Sequence, residues 1–98
     1  MTEKFMIAAF RSRLHVMAFE RTLNAAGVKA SVVTTPRAVA LGCGLSVRFE
    51  PGDVDRVRAL LRGGPAGNLI GLYSVEGDRM GRIVVRPVHS QKPVPGGL

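Results

Sequence analysis

The 98-residue chain holds a single cysteine, Cys43, so an internal disulfide is excluded and a reducing compartment is expected. Its two histidines, His15 and His89, are far apart. With one thiol they fall short of a tetrahedral ligand set, so no metal is expected. No stretch approaches the ~18 uninterrupted apolar residues of a membrane span. Met1 to Phe5 shows no basic lead before a long apolar run, so no signal peptide is expected and the location reads as cytoplasmic. Acidic residues are few, seven against fourteen basic ones, for a net charge of +7. Such a balance suits nucleic acid, an anionic ligand or an acidic partner. The eleven arginines and three lysines are scattered, however, and read first as a solvated basic surface. Aromatics are scarce. Gly63-Gly64-Pro65-Ala66-Gly67 lacks the Lys-Ser/Thr that follows a phosphate-binding loop, and no cofactor is expected.

What is present is a hydrophobic content of 46%, enough for one folded domain over residues 1–88. Residues 89–98, rich in proline and glycine, read as a disordered tail. Phe5 to Phe10 is a short apolar run, a strand buried on both faces. Ser12 is a good N-cap for a helix of about thirteen residues, whose stripe Val16, Phe19, Leu23 and Ala26 ends at Gly27. Ala30 to Thr35 is β-branched and predicts a second strand. Leu45, Val47 and Phe49 alternate with Ser46, Arg48 and Glu50, a strand with one buried face. Pro51-Gly52-Asp53 turns into a second helix with Asp53 as its cap and Val54, Val57 and Leu61 inward. Leu69 to Val75 and Arg82 to Val88 read as strands joined by a hairpin through Gly77 to Gly81.

This order predicts an α+β fold, a ferredoxin-like βαββαβ two-layer sandwich with an extra C-terminal hairpin strand. By fold-level analogy the sheet order is 4-1-3-2. Three connections, Phe10 to Arg13, Pro36 to Gly44 and Gly63 to Asn68, then meet at one end of the sheet. Cys43 is expected to face Arg11, Ser12, Arg13 and Arg37 there, beside the start of the first helix. A face of the sheet left bare by the helices suggests a homodimer or a docking surface.

Cys43 lies between Gly42 and Gly44, at the end of a loop and outside any apolar run. Loops on rigid scaffolds are where covalent chemistry concentrates. Nearby cations and helix N-termini favour a thiolate, and the same surroundings favour an anionic persulfide or selenide. The alternative is a small core hydrophobe, since free cysteine is among the most buried residue types. A Cys43–His15 catalytic pair lacks an orienting third group, so an enzyme is the less favoured reading. RNA binding is disfavoured because the outward positions Ser46, Arg48 and Glu50 supply no aromatic platform.

The pattern Phe10-x-Ser12, a helix carrying Glu20 and ending at Gly27, then Pro36-Arg37 and Cys43-Gly44, resembles a small bacterial family described as putative selenium/sulfur carrier protein-like. The resemblance runs from Phe5 to Leu61, and its specific part is Pro-Arg followed by Cys-Gly. It implies that Cys43 bears the chalcogen and that Pro36, Arg37 and Gly44 shape its loop. It also implies sulfur- or selenium-donor and acceptor proteins as partners. The family commonly has serines just before Cys-Gly, where this chain has Ala40, Leu41 and Gly42. The competing function is a regulatory or assembly module that binds a partner and uses Cys43 only for packing.

Overall fold

The computed structural model describes residues 3–39, 43–62 and 68–88. Expectations placed on Gly42, on the glycine-rich 63–67 stretch and on the tail 89–98 lie outside the described residues. The elements are β1 (Glu3–Phe10), α1 (Arg13–Ala25), β2 (Ala30–Thr34), β3 (Leu45–Phe49), a 3-10 turn (Pro51–Asp53), α2 (Val54–Arg62), β4 (Leu69–Gly77) and β5 (Ile83–Pro87). The architecture is mixed α+β, with two helices against a five-stranded antiparallel sheet ordered β2-β3-β1-β4-β5. Relative to the four-strand order 4-1-3-2, the observed sheet is longer by β5, which extends it beyond β4.

Strand alternation decides which side chains meet the helices. Met6, Ala8 and Phe10 of β1, with Val47, Phe49 and Leu72, share one core with Val16, Phe19 and Leu23 of α1 and Val57 and Leu61 of α2. The Phe10 and Phe19 rings meet at a centroid distance of 5.3 Å. Each fully buried side chain of this size contributes about 1.5–3 kcal/mol of transfer free energy, which fixes the helices on this face. α1 starts at Ser12, whose hydroxyl accepts from the His15 backbone N–H, and stops before Gly27 at a φ of +86°. The Arg56 guanidinium donates to the Ala26 carbonyl, so α2 supplies a cation to the carbonyl end of α1.

Two expectations are corrected. Asp53 does not stand as a cap one step before the helix. It lies within the 3-10 turn opened by Pro51, which runs directly into α2. The alternating strand β3 does not have one wet face either, because Ser46 is fully buried. Ile7, Ala9, Ser46 and Val75 all point to the face away from the helices, yet all are buried. A cover therefore exists on that far face, and part of it is the segment after β2.

Candidate functional site

The β2–β3 connection is closed at its base by three groups. The Thr35 N–H donates to the Gly44 carbonyl at 2.9 Å, adding one rung to the β2–β3 ladder. The Thr35 and Ser46 hydroxyls meet at 2.6 Å on the far face. Gly44 has a φ of +89°, a left-handed conformation that glycine adopts without the Cβ penalty. Pro36 and Cys43 are thus the first residues of the two limbs above this base.

The limbs go to different sides of the sheet. On the first, the Val39 N–H returns to the Pro36 carbonyl at 2.9 Å, a tight turn that buries Val39. Pro36, Arg37 and Ala38 line a groove of about 330 Å³ together with Ile83 and Val85. By register, Ile83 and Val85 project on the far face with Val75 and Phe5, so this limb is folded across that face. On the second limb, Cys43 has the same parity as Leu45, Val47 and Phe49. It packs, partly buried, against the helix-side core. Its Sγ lies 3.7 Å from the Leu45 carbonyl, a weak thiol contact.

The antiparallel pairings put the ends of β1 and β2 and the starts of β3 and β4 at one edge of the sheet. The Arg11 N–H donates to the Asn68 carbonyl at 3.0 Å there, so the β1–α1 connection and the entry to β4 do meet. Ala9 pairs with Ser46, which brings Arg11 and Ser12 to the neighbourhood of Gly44 and Cys43 by continuation of the register. Cys43 and the N-terminus of α1 therefore share both an end and a side of the sheet. Ser12 is engaged: its hydroxyl lies 2.6 Å from His15 Nδ1 and caps the helix. Arg11 and Arg13 are exposed at this end. Arg37 is exposed and lines the far-face groove. Among the described residues no hydrogen bond or ion pair joins Cys43 to Arg11, Arg13 or Arg37, and no cluster of potential metal ligands is present.

Sequence reasoning missed the groove. The signal for it was the odd-numbered pair Ile83 and Val85, but nothing local tied that pair to Pro36. A second concavity of about 300 Å³, lined by Lys29, Ala30, Ser31, Arg48, Phe49 and Glu50, lies at the opposite end from Cys43. On the far face the Phe5 ring is covered by the Arg48 guanidinium at 4.0 Å from its centroid, so that aromatic is not free to stack on a base. No helix among the described residues is long and apolar enough to cross a membrane.

No curated protein and no solved structure matches the chain. A family match covers residues 5–67, from β1 through the cysteine loop and α2, and leaves out β4 and β5. Spanning more than half of the chain, that match makes it a member of the family described as Putative Se/S carrier protein-like.

Proposed function

We propose that the chain is a non-catalytic carrier that takes up sulfur or selenium on Cys43 in a reducing, cytoplasmic setting. The observation that carries this reading is the position of the sole cysteine, partly exposed at a glycine-marked loop base within the family match. In the sulfur case the Cys43 thiolate attacks the outer sulfur of a donor persulfide. A new S–S bond forms on Cys43, the donor's S–S bond breaks, and the electron pair leaves with the donor thiolate. No oxidant is consumed, and the acceptor step is the same exchange in reverse. Pro36 and Gly44 shape the loop, while Arg11, Ser12 and Arg13 flank it at the start of α1. The free N–H groups and dipole of that helix end favour an anionic terminal sulfur. The finer architecture we infer is a ferredoxin-like βαββαβ domain extended by β5.

Mass spectrometry of the native protein after exposure to a small persulfide donor tests the reading. One added sulfur on wild type and none on Cys43→Ser supports it. An unmodified thiol that becomes reactive only on unfolding favours the second reading, an assembly module in which Cys43 is a packing residue. The observation behind that alternative is the contact of Cys43 with the helix-side core.

A further inference from the structure

β5 closes the sheet on one side, and its hydrogen-bonding phase can be read from its two ends. The Asp78 N–H donates to the Arg82 carbonyl at 2.9 Å, and the Val88 N–H donates to the Leu72 carbonyl at 2.8 Å. Between them the register pairs Glu76 with Val84 and Ser74 with Arg86. Hydrogen-bonded pairs alternate along an antiparallel ladder, so the even-numbered residues of β5 bond to β4. The N–H and C=O groups of Ile83 and Val85 then point away from the sheet. Pro87 stands in the same outward phase, where its missing N–H removes no ladder bond.

Pro87 and the short length of β5 blunt one end of this edge, but Ile83 and Val85 carry no charge and no element among the described residues covers their outward backbone groups. Its surface is instead apolar and cationic. Met80, Ile83 and Val84 are 77%, 61% and 38% exposed, three of the five exposed large hydrophobics of the described chain. Around them stand Arg37, Arg79, Arg82 and Arg86, all exposed. Against these are Glu76 and Asp78, and Asp78 is already committed to Arg82 Nε at 3.0 Å and to the backbone N–H groups of Met80 and Arg82.

We propose that the β5 edge binds an extended acidic segment of a partner protein as a sixth strand. The segment's backbone pairs with Ile83 and Val85. Its apolar side chains enter the groove between Pro36–Ala38 and Ile83–Val85 on the far face, and its carboxylates, alternating to the other face, meet Arg82 and Arg86. A second copy of this chain fits less well. Pairing Ile83 with Val85 of the second copy sets Arg86 against Arg82, like charges directly opposite, and any self-pairing brings together two edges that both carry Arg79, Arg82 and Arg86. The inference stands apart from the chalcogen chemistry of Cys43.

The probe is a synthetic heptapeptide alternating glutamate and valine, with a lysine-for-glutamate analogue as its counterpart. It is titrated into the full chain and followed by amide exchange. Binding is expected for the acidic peptide, weakening with salt, with new protection at the Ile83 and Val85 amides and none at the edge strand β2. Val85→Pro deletes an outward donor and no β4 bond, and is expected to weaken binding by about fivefold, the equivalent of one hydrogen bond. If that variant misfolds, Arg86→Glu, at an exposed position on the face the peptide's charges share, is expected to exchange the preference towards the lysine peptide. Equal binding of both peptides overturns the proposal, as does protection elsewhere. Protection of Ile83 and Val85 without peptide, together with dimerisation, assigns the edge to a second copy and overturns it too.

Discussion

The Thr35 hydroxyl sits 2.6 Å from the hydroxyl of Ser46, the single buried polar residue of the described core. This contact ties the start of the Pro36 limb to the far face of β3, where Ile7 and Ala9 are also covered. Ser46→Ala and Thr35→Val are each expected to lower stability by about 1 kcal/mol, because each leaves a hydroxyl without its partner. The double variant is expected to lose less than the sum, since removing both hydroxyls leaves neither unsatisfied. Denaturant unfolding of the four proteins measures the coupling, and simple additivity contradicts the contact.

Gly44 separates conformational strain from crowding. A Cβ built there meets nothing within 4 Å, yet its φ is +89°. Gly44→Ala is therefore expected to cost about 1–2 kcal/mol from backbone strain alone. Gly52 also has open space around a Cβ but no positive φ, so Gly52→Ala is expected to be neutral or to stabilise by about 0.4–1 kcal/mol. Equal effects at the two positions in urea unfolding contradict this account.

Ser12 carries the start of α1 through its contacts with the His15 backbone and ring. Ser12→Ala is expected to cost about 1 kcal/mol, and Ser12→Asp to recover most of it, as N-cap chemistry requires. Thermal unfolding of the three proteins checks the ranking.

Local signals were enough for the elements themselves. Ser12 and Gly27 delimited α1, and Leu45, Val47 and Phe49 named the helix-side face of β3. Gly77 to Gly81 marked the hairpin, now seen to be closed by Asp78 accepting from Met80 and Arg82. What the sequence hid was non-local. Ser46 reads as a wet position until the Thr35 limb folds over it, and no periodicity within residues 35–44 announces that fold. Asp53 reads as a cap because it precedes an apolar stripe. Pro51, with its φ already near helical values, starts the turn two residues earlier. Arg37 and Cys43 are six positions apart and share one loop, but the closure at Thr35 and Gly44 sends their limbs to opposite faces.

That separation makes a test of the site. Cys43 packs on the helix side, at the end of the sheet where α1 begins, whereas Arg37 lines the far-face groove with Ile83 and Val85. The sheet lies between them, and the Arg37 side chain is exposed to screening water and salt. Arg37→Ala is therefore expected to leave the native alkylation rate of Cys43 within about twofold, since exposed charges at a distance are largely screened. Helix-end charge bears on Cys43 more directly, so combined Arg11→Glu and Arg13→Glu substitutions are expected to slow alkylation more than Arg37→Ala does. Rates measured with a small uncharged alkylating agent at one pH and one salt concentration decide the matter. A large loss with Arg37→Ala alone means that its guanidinium reaches the thiol, and the division of the loop between the two faces fails.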